Sequence, residues 1–165
     1  MKNLYAPWRE AYATSDFEKN KKSVKTDCVF CQQLEDTKDE EYFILGRYKK
    51  NCIMLNRYPY NAGHLLIVPL EHQGWLEQLD QTTQQEMIYL VSESITILKN
   101  TLKCDGINVG LNLGEGAGGS IPAHLHFHVL PRWLGDTNFL PTLADTKQIP
   151  FNLSTLYTKL QKYFL

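Results

Sequence analysis

His124-Leu125-His126-Phe127-His128-Val129-Leu130 holds three of the chain's five histidines, one at every second position. A strand turns successive side chains to opposite faces, so this spacing lays three imidazoles along one face and Leu125, Phe127 and Val129 along the other. One apolar face and one imidazole face point to a sheet strand packed on one side and carrying chemistry on the other. Two chemistries can use such a face. In the first, two or three imidazoles converge on one catalytic metal. In the second, one imidazole is a nucleophile and its neighbours are a metal anchor and a proton handler.

The sequence before the histidines favours the second. Gly114-Glu-Gly-Ala-Gly-Gly-Ser120 is a glycine-rich loop whose successive N–H groups can converge on phosphate oxygens, and Ser120 can donate a further hydrogen bond. It lacks the Gly-Lys-Ser/Thr ending of a Walker loop, which argues against P-loop chemistry. Taken alone it is equally a plain turn. Ile107–Leu113 reads as the strand entering it. Further out, Thr83-Gln-Gln-Glu86 fits a capping box, and Met87, Val91, Ile95, Leu98 and Leu102 follow at helical spacing until Asp105–Gly106. His64–Pro69 is a strand apolar on both faces, preceded by the turn Arg57–Gly63. Tyr42–Tyr48 and Asn51–Asn56 form a hairpin about Lys49–Lys50–Asn51. A second helix is expected over Leu153–Phe164. The pattern is α+β: an antiparallel meander with one long helix inserted between its third and fourth strands, and a C-terminal helix.

The 165 residues suit one domain, with an N-terminal extension 1–27, a core 28–136 and a C-terminal segment 137–165. Lys plus Arg is 17 and Asp plus Glu is 18, for a net charge of −1. Broad electrostatic capture of nucleic acid or an anionic membrane is thereby excluded, and any phosphate recognition is local. Apolar runs fall far short of the ~20 residues that span a bilayer. The start, MKNLYAPWREAYA, has no apolar core and is not a secretory signal, so a cytoplasmic setting is expected. The stretches 17–27 and 35–41 read as solvated loops. In that setting Cys28 and Cys31, in Cys-Val-Phe-Cys, read as metal or redox chemistry or as a pair of buried thiols. A redox pair is disfavoured because the motif is not expected to open a helix after a strand. Cys52 and Cys104 read as buried small hydrophobes.

Gly63-His64-Leu-Leu-Ile-Val-Pro69, followed by His-Leu-His-Phe-His-Val-Leu-Pro-Arg, resembles the histidine triad (HIT) family of nucleotide hydrolases and transferases, a likeness running from about Cys28 to Asp136. The resemblance implies a HIT-like fold with His126 as nucleophile, attacking the α-phosphorus of a nucleotide to give a nucleotidyl-histidine. It implies His128 as a partner of the phosphate or leaving group, and His64 as a supporting or substrate-contacting histidine. Asn56 falls where members place a ribose-binding residue; Asn112, Gly119 and Ser120 fall near phosphate-contacting positions. A structural zinc held by Cys28, Cys31, His72 and His124 is implied in the same way. Two thiolates and two neutral imidazoles make a charge-balanced tetrahedral set.

Asn56–His64, Leu4–Tyr12 and Pro131–Pro141 resemble the dinucleoside polyphosphate branch, including diadenosine tetraphosphate phosphorylases. The implied function is cleavage of such bridges, by hydrolysis or by transfer to phosphate. Adenosine phosphoramidate hydrolysis and non-catalytic purine-nucleotide binding are the alternatives. Purine nucleotides and a second copy of the chain, as a homodimer, are the implied partners. Tyr5, Trp8, Tyr12 and Trp133 are expected to serve packing.

Overall fold

The computed structural model describes residues 28–146 and 148–164. Expectations for the extension 1–27, including the loop 17–27 and the aromatics Tyr5, Trp8 and Tyr12, lie outside the described residues. A short helix α1 (Val29–Glu35) and a single turn α2 (Asp39–Tyr42) lead into β1 (Ile44–Arg47), β2 (Asn51–Leu55) and β3 (Leu65–Pro69). The long helix α3 (Gln81–Leu102) follows, then β4 (Gly106–Leu111), β5 (Phe127–Arg132) and the C-terminal helices α4 (Leu140–Ala144) and α5 (Leu153–Gln161). The acidic stretch expected as loop is thus partly α1 and α2.

All five strands form one antiparallel sheet in the order β1-β2-β3-β5-β4. The first three are a meander. The chain then crosses on α3 to the far edge, and β5 returns to fill the slot between β3 and β4. Every residue of β2 and β3 is buried, as expected of central strands apolar on both sides.

Period-two alternation splits the sheet into two chemical faces. Leu45, Ile53, Leu55, Leu65, Ile67, Phe127 and Val129 point to one side. There they pack with Met87, Leu90, Val91 and Leu98 of α3 and with Leu156, Tyr157 and Leu160 of α5. Ile44, Cys52, Met54, Leu66 and Val68 point to the other, where Phe30 and Cys31 of α1 cover part of them. Burying a Leu, Ile or Val side chain is worth roughly 1.5–3 kcal/mol, so the α3 side supplies most of the folding drive and leaves the second side available for polar work.

The capping residue of α3 differs from the expectation. Asp80, not Thr83, is the N-cap, accepting from the Thr83 N–H at 2.8 Å and its hydroxyl at 2.9 Å; the Thr82 hydroxyl foremost, with these two bonds, holds its carboxyl well below the usual range. Glu86 instead accepts from the Lys50 N–H and the Asn51 amide, tying the helix to the β1–β2 turn. The helix ends at Leu102, with Lys103 in the left-handed region. Cys52 is fully buried and its thiol pushed up to about 12 by that burial, whereas Cys104, just past the helix cap, is only half-buried.

Gly63 lies in the turn before β3, against the end of α3. Its φ is +72°, and a Cβ there would stand 2.5 Å from Cδ1 of Leu102 and 3.5 Å from Cγ of Pro131. It also directly precedes the buried His64. Gly63→Ala is expected to lower the unfolding free energy by about 1–3 kcal/mol through backbone strain and overpacking. Urea unfolding reads this as a lower midpoint at unchanged slope; an unmoved midpoint contradicts it.

Candidate active site and metal centre

The imidazole face is assembled from three segments. His128 sits within the ladder, paired to Leu66 on β3 and Gly110 on β4. His126 and His124 precede the ladder, which begins at Phe127 rather than at His124. They are held instead by the strap that follows β3: the Leu125 N–H donates to the Gln73 carbonyl at 2.7 Å, and Nε2 of His124 to the Pro69 carbonyl at 2.9 Å. The preceding turn, closed by the His124 N–H on the Ile121 carbonyl, takes this stretch out of register with β4.

Hydrogen bonding assigns a tautomer to each ring. Nδ1 of His126 donates to the His124 carbonyl at 2.8 Å, which leaves Nε2 of His126 as a bare lone pair. The Tyr60 N–H points at Nδ1 of His64 at 3.1 Å, and the Asn56 amide nitrogen stands 3.3 Å from the same atom, so His64 carries its proton on Nε2. That proton is donated to Nδ1 of His128 at 2.9 Å. His128 must then carry its own proton on Nε2, a buried N–H with no partner among the described residues. The rings of His126 and His128 are 4.9 Å apart. One offers a lone pair and its neighbour an N–H, a combination that suits attack at an electron-poor centre bearing anionic oxygens.

Burial keeps these rings neutral. It drives His64 down to about 3 and His128 to about 4, with nearby imidazoles adding to the effect, and lowers His126 against the opposing pull of its backbone hydrogen bond. Phe30 closes over His126, 5.0 Å from its ring and 5.5 Å from that of His124. Tyr60 stacks on His128 at 5.8 Å and tilts over His64 at 4.8 Å. Neither aromatic was singled out by sequence pattern, although each lies within a motif already noted.

Behind the triad, Cys28, Cys31, His72 and His124 bring their ligand atoms within 4.8 Å of one another and could hold a metal ion. Nδ1 of His124 is 3.3 Å from Sγ of Cys28 and 3.6 Å from Sγ of Cys31, while Nδ1 of His72 is 3.2 Å from Sγ of Cys31. A tetrahedral zinc with ordinary bond lengths needs edges of about 3.4–3.8 Å, so this cluster fits one with small adjustments. Because Nε2 of His124 donates to Pro69, its Nδ1 lone pair faces the thiols in the form a metal requires. The Cys-Val-Phe-Cys motif opens a helix, with Cys28 as the N-cap of α1, and no strand precedes it among the described residues. What sets it apart from a redox pair is the two histidines that close around it.

A cleft of about 510 Å³ lies over the imidazole face. Asn56, Asn112, Gly119, Ser120, His126 and His128 all line it, together with an apolar wall that includes Val29, Phe30 and Met54. His64 does not; it is fully buried beneath His128 and reaches the cleft only through that ring. Trp133 lies across the sheet, partly buried against the α3 core, consistent with packing.

A profile of the HIT domain matches residues 37–133. The chain belongs to the HIT family. Over 151 residues it is 37% identical to an AP-4-A phosphorylase of Mycobacterium tuberculosis, covering 91% of this chain and 77% of that one. A bis(5'-adenosyl)-triphosphatase of Saccharomyces cerevisiae is 34% identical over 95 residues, 57% of this chain and 45% of the yeast protein. In fold it resembles a Zn-bound histidine triad family protein of Mycobacterium smegmatis, with a TM-score of 0.68, 23% identity and coverage of 85% and 94% of the two chains.

Cys28→Ser is expected to lower metal content, measured by elemental analysis, and melting temperature together; unchanged metal content would remove Cys28 from the ligand set. A pH dependence follows from the buried rings. His64 and His128 are held below their ordinary 6.5, so between about 4 and 6.5 the unfolded chain binds protons that the folded chain refuses. Their stabilising contribution is complete above pH 6.5 and is lost as pH falls toward 4. His64→Gln should therefore melt with a shallower loss of stability over that window than the wild type, and parallel curves would refute the assignment.

Proposed function

We propose that this HIT-family chain is an enzyme that cleaves the phosphoanhydride bridge of dinucleoside polyphosphates through a nucleotidyl-His126 intermediate. The observation that carries the reading is the pairing of tautomers, a lone pair on Nε2 of His126 beside an N–H on Nε2 of His128, at one end of a cleft that Asn112, Gly119 and Ser120 also line. Names borne by relatives, AP-4-A phosphorylase above all, support the substrate class.

The Nε2 lone pair of His126 forms a bond to the α-phosphorus, and the bond from that phosphorus to the bridging oxygen breaks. The remaining polyphosphate leaves with the electron pair. His128 donates its N–H to an oxygen of the reacting phosphoryl group or to the departing bridge, and His64 keeps that proton on the outward nitrogen. The nucleotidyl-imidazole is then resolved by water or inorganic phosphate, which takes the nucleotidyl group, releases a proton and restores the His126 lone pair. Positive charge on the ring of the intermediate is shared through Nδ1 with the His124 carbonyl. Asn56 lies at the ribose side, where its amide can reach the hydroxyls. Zinc is the metal that suits Cys28, Cys31, His72 and His124, and with four protein ligands it would fix the nucleophile's segment rather than activate water.

The reading includes a homodimer. β4 is an edge strand with most of its residues exposed, Val109 among them at 43%, whereas the opposite edge at β1 is covered by α2 and α5. An open edge of this kind suits pairing with a second copy. Among the described residues no helix is long and apolar enough to cross a membrane.

The test incubates the protein with diadenosine tetraphosphate, with and without inorganic phosphate. ADP plus ATP only when phosphate is present means phosphorolysis; AMP plus ATP means hydrolysis. His126→Ala is expected to abolish turnover with only a modest loss of nucleotide affinity, and turnover near the wild-type rate would end the nucleophile assignment. Activity confined to an adenosine phosphoramidate would move the substrate class.

A further inference from the structure

We propose that Trp75 is a positioning residue that sets the loop Gly114–Ser120 for the bridging phosphates; this rests on the function proposed above. Four of the loop's seven residues are glycine. Glycine gives up more backbone freedom on ordering than any other residue, so such a loop is costly to hold in one shape unless something grips it. In its middle only the turn's own backbone hydrogen bonds do: where a Cβ would sit on Gly116 or Gly118, no atom beyond the adjacent residues lies within 4 Å among the described residues. The grip is at the ends. Gly114, at a φ of +73°, would place a Cβ 3.1 Å from Cη2 and 3.4 Å from Cζ2 of Trp75, and Gly119 would place one 3.2 Å from Cβ of Asn112. Between them runs a single 3-10 turn, Glu115–Ala117.

The Trp75 backbone belongs to the strap that holds Leu125. The Gly74 and Trp75 N–H groups both donate to Oε1 of Gln73, at 2.9 and 3.3 Å, while the Gln73 carbonyl accepts from Leu125 at 2.7 Å. Gly74 lies so close to Pro122 that a Cβ would meet its carbonyl oxygen at 2.7 Å. Residues 72–75 therefore carry a ligand of the metal cluster at one end and, at the other, the ring on which the loop's first residue rests. A tryptophan kept for the core would be buried; this one is 44% exposed and sets the benzo end of its ring beside Gly114.

The experiment compares two ligands by calorimetry on the wild type, Trp75→Ala and Trp75→Phe: AMP, which has only the α-phosphate, and the α,β:α′,β′-bismethylene analogue of diadenosine tetraphosphate, which has the bridge with both scissile oxygens replaced. Trp75→Ala is expected to weaken the bridged ligand about tenfold, while AMP affinity stays within about twofold, and Trp75→Phe to recover most of the loss. Equal losses for both ligands, or none for either, overturn the inference. Should Trp75→Ala fail to fold, a chain with Trp8→Phe and Trp133→Phe leaves Trp75 as the sole tryptophan. Its emission must then shift with the bridged ligand and not with AMP, and an identical response to both again overturns it. A wild type that binds AMP but not the bridged ligand defeats the polyphosphate reading itself, and this inference with it.

Discussion

One hydrogen bond, 2.8 Å long, from Nδ1 of His126 to the carbonyl of His124 decides which nitrogen of the central imidazole faces the cleft. Were the proton on Nε2 instead, the ring would present a donor where the proposed chemistry requires a lone pair. The bond joins residues two apart, so it depends on the local path of the chain and on whatever holds His124 still. His124 is held at both ring nitrogens, by the Pro69 carbonyl on one side and the two thiols on the other. The metal cluster and His126 are therefore parts of one constraint: the cluster fixes the residue whose carbonyl fixes the His126 tautomer.

A second chain of bonds fixes the third ring. The Tyr60 N–H, His64 and His128 pass a tautomer outward from the backbone to the cleft, each ring's proton placed by the donor before it. Burial makes the chain reliable. In water an imidazole exchanges tautomers freely and takes up a second proton near neutral pH, but with His64 and His128 pushed down to about 3 and 4 the charged forms do not compete. The sheet provides that burial without a second thick core, because the α3 side already carries the apolar load and α1 with Tyr60 covers the other face.

How much of this was legible in the sequence follows the range of each interaction. The period-two histidines predicted the sheet's two faces, since side-chain alternation is local. The long helix was visible in its apolar spacing. Its cap was misplaced because Thr83 and Asp80 are both competent N-caps. Glu86, which completes the apparent capping box, is recruited by Asn51 from a distant strand. The return of β5 between β3 and β4 leaves no mark in a linear pattern. Nor did alternation reveal that His124 and His126 lie outside the ladder, held by Gln73 and Pro69 from more than fifty positions away. The residues missed at the site, Phe30 and Tyr60, act by packing their rings on histidines, and packing partners are set by the tertiary fold. That Cys-Val-Phe-Cys opens a helix was not visible for a related reason: Cys28 caps α1 without a side-chain hydrogen bond, so it lacks the signature of an N-cap.

The placement of the triad's first half outside the sheet has a mechanical consequence. A ladder strand is fixed by neighbours along its length, and its residues move together. His124 to His126 are fixed instead by a strap of a few residues after β3, by the turn at Ile121–His124 and by the metal cluster, three supports with different chemistry. The glycine-rich loop is continuous with that turn and adjoins the same strap. Residues 72–75 therefore touch both the segment whose carbonyl orients His126 and the loop, and they lie outside β3, β5 and the α3 core. Preorganisation at this site is accordingly a property of the strap as much as of the sheet, since the sheet supplies a rigid edge from which only His128 is hung directly.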